Sequence, residues 1–363
     1  MANEPSRRSF ITRMAMAAGS AAFAGNLTTA TAAEKKSKGS QRLSLKKLRE
    51  WEAMRYGMFI HFGMSTFTGN ELPDGTAPAS LYSPDKPDAD QWMAVAKEAG
   101  MKYAVLTTKH VAGHCLWPSK HTDYTVANSG NTTDVVEAFV TACRKYGIKP
   151  GFYYCSWDNH NTFGSQTPSM VKWNSAMNSF PKKPGETAPF TTSMYQNFQT
   201  AQITELLTQY GDIAEMWVDI PGVLGRGYRT FLYQYIAKLQ PNCVIMMNSG
   251  ISTGENYNVD YAWPSDLIAI ERNLPQDGGH KKWRDIEGET YYMPGEVCDP
   301  IGKDWFYVEG DKPRADEVLR DQYLSVTRRG ANLLLDVPPD KRGVIPDMHV
   351  KALIDLKKNA GIR

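Results

Sequence analysis

Side chains suited to acid–base or hydrogen-bonding chemistry stand at the ends of four apolar segments of this chain. His61, His110 and Asp219 each close such a segment, and Tyr154 stands near the end of another. Burying a carboxylate without a partner is costly. Asp219 at the end of a buried segment is therefore expected to have a functional or structural role. Asp219 could serve as a nucleophile in a cleft, or it could only cap the Pro-Gly turn that follows it.

The elements that must position these side chains alternate between strands and helices. The predicted strands are 56–62, 103–108, 149–156, 213–219, 243–247, 267–270, 290–297 and 332–337. The predicted helices are 45–54, 88–100, 134–147, 193–210, 228–240, 314–330 and 346–359. This alternation predicts a parallel sheet with right-handed crossovers.

Eight strand candidates over about 320 residues predict an α/β fold, a (β/α)8 TIM-like barrel that forms one domain. The alternative is an open, doubly wound sheet. No glycine-rich G-x-G-x-x-G turn follows the first predicted strand, so a dinucleotide-binding version of that sheet has no support.

A barrel would bring the four strand ends to one rim, because its loops surround a common cleft. Trp157 and Trp217 lie close to two of these ends and could offer aromatic faces for stacking on a sugar. Each of these residues also has a plain structural interpretation as part of the core. No set of histidines and carboxylates has clear metal-ligand spacing, so neither a metal nor another cofactor is predicted, although three or four of the strand-end residues could still bind a metal ion.

The charge balance argues against a nucleic-acid partner. Lys and Arg number 41 and Asp and Glu number 39, which leaves no basic excess to displace counterions from a phosphate backbone. The five cysteines are scattered without a C-x-x-C pair, so they predict neither a zinc site nor a disulfide framework. We expect them to be small buried apolar side chains.

Residues 1–32 have the features of a twin-arginine export signal. The pair Arg7-Arg8 precedes an apolar run over 14–25, and Ala30-Thr31-Ala32 fits a cleavage site. The apolar run is too short to span a membrane. We therefore expect export to the periplasm or beyond, a polar tether over residues 33–44, and the catalytic domain over 45–363.

Several segments resemble the signature segments of glycoside hydrolase family 29, the α-L-fucosidases, in order and in spacing. They are Phe59–Gly63, Tyr103–His110, Leu116–Lys120, Gly151–Tyr154, Glu205–Gly211, Met216–Asp219 and Gly330–Leu335. The similarity extends from about residue 51 to residue 343. The family's catalytic domain is a (β/α)8-like barrel, often followed by a β-sandwich, and we expect this chain to lack the sandwich.

The resemblance implies a retaining exo-glycosidase that hydrolyses α-L-fucosides in a fucosylated oligosaccharide or glycoconjugate. The family's nucleophile corresponds to Asp219. The histidines that hold the sugar hydroxyls correspond to His61 and His110, and the tyrosine of the third strand end corresponds to Tyr154 in preference to Tyr153. Trp157 and Trp217 are expected beside them as substrate-binding residues.

Departures from the family pattern leave the sugar open. The usual second histidine is Val111, and an arginine common after the fifth strand is replaced by Asn248-Ser249-Gly250. A Glu-Trp pair of the first loop has no clear counterpart. Two alternatives therefore stand beside α-L-fucosidase, namely a retaining glycosidase for a different or modified sugar and a carbohydrate-binding barrel that has lost catalysis.

A retaining glycosidase also needs an acid/base carboxyl about 5–5.5 Å from its nucleophile. We favour Glu271, which ends the apolar run Leu267–Ile270, although it could instead pair with its neighbour Arg272. Glu255, on a loop rich in glycine and serine, and Glu296, which follows Tyr291–Gly295, are the alternatives.

Overall fold

The structure is a computed structural model that describes residues 41–161, 163 and 191–363. Its strands are Tyr56–Ile60 (β1), Tyr103–Lys109 (β2), Lys149–Cys155 (β3), Glu215–Asp219 (β4), Val244–Met247 (β5), Ile268–Glu271 (β6), Trp283–Ile286 (β7), Glu289–Tyr292 (β8), Gly295–Pro300 (β9) and Ala331–Asp336 (β10). Its helices are Leu45–Glu52 (α1), Met64–Thr68 (α2), Ala89–Ala99 (α3), Val135–Tyr146 (α4), Ser193–Gln209 (α5), Arg226–Leu239 (α6), Val259–Ala262 (α7), Asp316–Arg328 (α8) and Asp347–Ala360 (α9). Single 3-10 turns occur at Ala79–Leu81, Val126–Asn128 and Pro221–Leu224.

Eight of the strands form one parallel sheet in the order β5-β4-β3-β2-β1-β10-β9-β6. The first and last strands of the chain's barrel, β1 and β10, are therefore neighbours, as the predicted (β/α)8 barrel requires. The central strands are buried along their length because one face meets the barrel interior and the other meets the helices. This arrangement confirms the predicted fold class.

The prediction of the seventh barrel strand was partly wrong. The segment 290–297 contributes to two elements, the hairpin strand β8 and the barrel strand β9, with Pro294 between them. Strands β7 and β8 pair antiparallel as a two-stranded hairpin outside the barrel sheet. Proline has no N–H to donate to a strand ladder, so it separates the two pairings.

The barrel is completed by side chains where β5 and β6, the two ends of the strand order, face each other. The backbone N–H of Asp266 donates to Ile245 O at 2.8 Å, and Asp266 Oδ2 accepts the N–H of Ile245 at 2.8 Å. Ser265 Oγ accepts the N–H of Met247 at 3.1 Å. These contacts satisfy backbone groups of β5 that face the gap.

The bounds of α3 and α4 agree with the sequence prediction because the predicted residues cap them. The side chain of Asp88 accepts the N–H of Gln91 at the start of α3, and Asp134 does the same for Glu137 in α4. Gly100 and Gly147 end these two helices in the left-handed conformation that glycine adopts without strain.

The end of the predicted tether, residues 41–44, is docked on the barrel rather than free. Arg42 forms an ion pair with the buried Asp266 and donates to Cys243 O at 2.6 Å, while Leu43 is buried. This contact could not be predicted from the sequence, because the partner of Arg42 lies more than two hundred residues away in the chain. The predicted export signal and the rest of the tether fall within residues 1–40, outside the described residues.

All five cysteines are buried thiols, as predicted. Among the described residues, no helix has the length and apolar character needed to cross a bilayer.

Candidate active site

A cavity of about 390 Å³ opens at the carboxyl ends of the barrel strands. Among its lining residues are Phe59, His61, Glu71, His110, Tyr153, Trp217, Asp219, Asn248, Ser249, Tyr261, Glu271, Cys298 and Trp305. Five of the seven site residues predicted from sequence therefore meet in one place. They are His61, His110, Trp217, Asp219 and Glu271.

Asp219 is the last residue of β4 and enters the cavity between two hydrogen-bond donors. Its Oδ2 accepts from Tyr153 Oη at 2.7 Å, and its Oδ1 accepts from Asn248 Nδ2 at 2.8 Å. Burial raises the pKa of Asp219 above its ordinary value, whereas these two donors oppose the rise by favouring the ionised carboxylate. The site is thus equipped to hold Asp219 as an anion.

Glu271 is the last residue of β6 and faces Asp219 across the cavity. Its Oε2 accepts from Asn248 Nδ2 at 2.9 Å. Burial, followed by the negative charge of Asp219, raises the pKa of Glu271 to about 7. A carboxyl with that pKa keeps its proton in mildly acidic water, as a general acid must.

The separation of the two carboxylates follows from the amide between them. Asp219 Oδ1 and Glu271 Oε2 lie 2.8 and 2.9 Å from the same nitrogen of Asn248, so these oxygens are at most about 5.7 Å apart. Retaining glycosidases hold their carboxyl groups about 5–5.5 Å apart, and inverting ones about 6.5–9.5 Å. The geometry fits direct attack on a sugar rather than an intervening water.

The two histidines line the same cavity as neutral imidazoles. Nδ1 of His61 lies 2.8 Å from Asp336 Oδ1, which orients the ring, and burial lowers the pKa of His61 to about 3. Burial also lowers the pKa of His110, and its Nδ1 has no hydrogen-bond partner within the described part of the chain. Neutral rings of this kind can exchange hydrogen bonds with hydroxyl groups.

Aromatic rings complete the cavity wall. The ring of Trp217 stacks on Tyr153 with centroids 5.5 Å apart, and Trp305 lies 5.1 Å from the ring of His61. Phe59 packs against both tryptophans. A cavity that combines apolar ring faces with two carboxylates matches a sugar ring, which has one apolar face and a hydroxylated rim.

Tyr154 and Trp157 do not line this cavity, contrary to the prediction. Successive side chains of a strand point to opposite faces, so Tyr153 points into the barrel and Tyr154 points into the helix layer. There Tyr154 Oη donates to Gln202 Oε1 at 2.8 Å. Trp157 is fully buried, and its Nε1 donates to Asn159 Oδ1 at 2.7 Å.

The two alternative acid/base candidates also lie elsewhere. Glu255 is exposed on its loop and is absent from the cavity wall. Glu296 is buried inside the barrel, where its oxygens accept from Tyr103 Oη at 2.6 Å and from Trp217 Nε1 at 3.1 Å. Glu296 thus supports the tryptophan from below and does not reach the cavity.

The alternative ion pair between Glu271 and Arg272 is not what holds these side chains. The guanidinium of Arg272 lies over the ring of Trp305, 4.8 Å from its centroid, and donates to Lys303 O at 3.1 Å. Arg272 still favours the ionised form of Glu271 through its charge, but less than burial and Asp219 disfavour it.

The backbone turns sharply after each carboxylate. Ile220 follows Asp219 and Arg272 follows Glu271, and both have a φ of 51°. This left-handed region is unfavourable for residues other than glycine, and strongly so for a β-branched one. Strain of this kind gathers at functional sites, where surrounding contacts fix an unusual backbone.

Sequence reasoning missed several residues of the cavity. Asn248 follows β5 directly, so the strand-end signal that found Asp219 could also have found it. Tyr153 was weighed and ranked second. Glu71, in the loop after β1, brings a third carboxylate whose pKa is raised by burial, and no pattern around it in the sequence signals this.

No group of three or more histidines, cysteines or carboxylates among the described residues is arranged to hold a metal ion.

Comparison with known proteins agrees with this geometry. The family model described as "Alpha-L-fucosidase" matches residues 76–358. Alpha-L-fucosidase 1 of Arabidopsis thaliana is 31% identical over 325 residues, which cover 84% of this chain and 57% of that protein. The chain therefore spans little more than half the length of this plant relative.

Solved structures give the same result. Alpha-L-fucosidase isoenzyme 1 from Paenibacillus thiaminolyticus superposes with a TM-score of 0.67 at 27% identity, covering 86% of this chain and 75% of that one. A glycoside hydrolase 29 family member from an unknown rumen bacterium gives a TM-score of 0.67 at 27% identity, covering 86% and 56%. Because the family model matches most of this chain, the chain belongs to the alpha-L-fucosidase family, glycoside hydrolase family 29.

Proposed function

We propose that this protein is a retaining exo-glycosidase that hydrolyses α-L-fucosides. The observation that carries the proposal is the carboxylate pair, Asp219 and Glu271, joined by one amide nitrogen in a sugar-sized cavity. That spacing supports double displacement. The same pair argues against a decayed binding barrel, because two buried carboxyl groups are costly to retain and their spacing is the one that double displacement requires.

In the first step, a carboxylate oxygen of Asp219 attacks the anomeric carbon. The glycosidic bond breaks as Glu271 gives its proton to the leaving oxygen. In the second step, Glu271 takes a proton from water, the resulting hydroxide attacks the same carbon, and the bond to Asp219 breaks. Fucose leaves with net retention of configuration, and both carboxyl groups return to their starting states.

The substrate in this proposal is a fucosylated oligosaccharide or glycoconjugate. His61, His110 and Tyr153 are suited to hold the hydroxyl groups, and Trp217 offers a ring face to the apolar side of the sugar. The choice of fucose as the sugar is supported by the similar proteins, since the plant protein and the Paenibacillus protein are both alpha-L-fucosidases.

Substitution of the two carboxylates tests the mechanism. We expect Asp219→Asn to lower kcat on an aryl α-L-fucoside at least about a thousandfold, because the nucleophile is lost. Glu271→Gln should lose more activity on a poor leaving group than on an activated aryl one, since only the poor leaving group needs the acid. Added azide should restore turnover to the variant Glu271→Ala and yield a fucosyl azide.

Glu255→Gln is the matched control, because Glu255 is an exposed carboxylate outside the cavity. Its activity should stay within about twofold of wild type. Full activity in Asp219→Asn would refute the mechanism. Hydrolysis of a different aryl glycoside, with the fucoside left intact, would keep the mechanism and replace the sugar.

We also propose export through the twin-arginine signal over residues 1–32, supported by Arg7-Arg8, the apolar run and the Ala30-Thr31-Ala32 site. Residues 1–40 fused to a folded reporter should be exported in a bacterium with the twin-arginine system. A reporter that is exported equally well after Arg7-Arg8→Lys-Lys would contradict the assignment.

A further inference from the structure

Asn248 occupies an unusual position in the cavity, because a single neutral side chain touches both carboxylates. Its Nδ2 carries two hydrogens, and the nitrogen lies 2.8 Å from Asp219 Oδ1 and 2.9 Å from Glu271 Oε2. One hydrogen is available for each acceptor. The side chain therefore bridges the end of β4 to the end of β6 across β5.

The orientation of this amide is fixed by its other end. Asn248 Oδ1 accepts the N–H of Gly250 at 2.9 Å, and the backbone N–H of Asn248 donates to Val218 O at 2.9 Å. A flipped amide would set its oxygen against two carboxylates and its NH2 against an N–H, so the observed orientation is the one that satisfies every group. Asn248 is also buried, which limits competition from water.

We propose that Asn248 is a positioning residue that holds the two carboxylates at one separation and sets where both limbs of the pH–activity profile fall. This inference rests on the proposed function, because it assigns the limbs to Asp219 and Glu271. Before attack, the negative charge lies on Asp219. In the glycosyl-enzyme, Asp219 is esterified and the charge lies on Glu271. The same NH2 group faces the charge in both states, so the site need not rearrange between steps.

Other charged or titratable groups also face the pair. His61 and Tyr153 approach Asp219, and Arg272 and Glu71 act on Glu271. Tyr261 and Cys298 line the same cavity, as does His110. Asn248 donates a hydrogen bond to each of the two carboxylates, whereas Tyr153 donates to Asp219.

The test compares two substitutions that separate the donor from the acceptor of this amide. Asn248→Ala removes the NH2 group and the oxygen without adding a charge, whereas Asn248→Asp keeps an oxygen for the N–H of Gly250 but replaces the NH2 group with an oxygen that can carry a negative charge. An N–H donor favours the ionised form of a carboxyl group, so its loss raises the pKa of both Asp219 and Glu271. We expect both limbs of the kcat/KM profile on an aryl α-L-fucoside to move up by about one pH unit or more in each variant.

Asn128→Ala is the matched control, since Asn128 is exposed, its Nδ2 donates to the backbone oxygen of Asp123, and it does not line the cavity. Its two limbs should coincide with those of wild type. A purely structural role, in which Asn248 only anchors the turn at Gly250, predicts wild-type limbs for Asn248→Ala, which adds no charge beside the pair, and that result would overturn the inference. Where Asn248→Ala does not fold, as judged by circular dichroism, the limbs of Asn248→Leu, which is also uncharged and lacks the NH2 group, decide by the same criterion.

Glu271→Gln, measured in parallel, separates this inference from the proposed function. If Glu271→Gln keeps the alkaline limb, Glu271 is not the general acid, and the mechanism under Proposed function is wrong about this residue. If Glu271→Gln loses the alkaline limb while the Asn248 variants keep both limbs at wild-type pH, only the role of Asn248 is overturned.

Discussion

At the scale of single residues, two chemically similar carboxyl groups receive different protonation states from their surroundings. Asp219 accepts hydrogen bonds from Tyr153 and Asn248, while Glu271 accepts from Asn248 and faces the charge of Asp219. The extra donor directs the negative charge to Asp219 and leaves the proton on Glu271. A pair whose environments separate its pKa values supplies both the acid and the nucleophile of one reaction.

The raised pKa of Glu271 also predicts a dependence of stability on pH. The folded protein holds this proton up to about pH 7, whereas an unfolded glutamate loses it near pH 4.5, so folding is destabilised as the pH rises between these values. Glu271→Gln removes that effect. We expect its free energy of unfolding to exceed that of wild type by roughly 2–3 kcal/mol at pH 8.

Near pH 4 the two proteins should unfold at similar denaturant concentrations, because the wild-type carboxyl is protonated in both states there. Urea titrations at the two pH values measure the difference. An equal gain at both pH values would assign the effect to packing and not to the buried charge.

At the scale of elements, the alternation of side chains along β3 decides which tyrosine serves the cavity. Tyr153 points to the barrel interior and reaches Asp219, while Tyr154 points to α5 and reaches Gln202. Adjacent residues of one strand therefore have separate functions, one in the site and one in the packing of a helix against the barrel.

Removing each hydroxyl in turn makes a matched pair of variants. Tyr153→Phe takes a donor from Asp219, and we expect kcat/KM to fall about ten- to a hundredfold, with the acidic limb displaced to higher pH. Tyr154→Phe should keep kcat/KM within about threefold and lower the free energy of unfolding by about 1 kcal/mol. Steady-state kinetics and urea unfolding of both variants measure the two effects. The reverse pattern would restore the original assignment to Tyr154.

At the scale of the whole molecule, the barrel depends on a contact from outside its eight strands. Asp266 caps the N–H of Ile245 in the gap between β5 and β6, and Arg42 and Tyr233 contact the same carboxylate. The segment before α1 thus helps to complete the sheet that carries Asp219 and Glu271, since Glu271 ends one of the two strands at this gap.

Loss of this carboxylate should weaken the entire fold. Asp266→Ala leaves the guanidinium of Arg42 and the N–H of Ile245 without their partner, and we expect the free energy of unfolding to fall by about 3 kcal/mol or more. Asp260→Ala is the control, because Asp260 is exposed, and its effect should stay within about 0.5 kcal/mol. Thermal and urea unfolding provide the measurement, and equal stabilities for the two variants would contradict the role of Asp266.

The order of most strands and helices, and the strand ends that carry His61, His110, Asp219 and Glu271, could be predicted from the sequence alone. These follow from local signals, because capping residues and apolar runs act within a few positions of one another. The family followed from the resemblance of whole segments. Asp88 and Gly100 bound α3 where the sequence predicted it.

The folded structure was needed to show which face of β3 turns inward, which carboxylate lies beside Asp219, and where residues 41–44 dock. A strand buried on both faces shows no polar alternation, so nothing local tells Tyr153 from Tyr154. Three candidate acids are the same type of residue and differ only in the groups that the fold places around them, namely Glu255, Glu271 and Glu296. The bridge from Asn248 to Asp219 and Glu271 exists because β4, β5 and β6 end at one rim, and that closure is a property of the folded barrel.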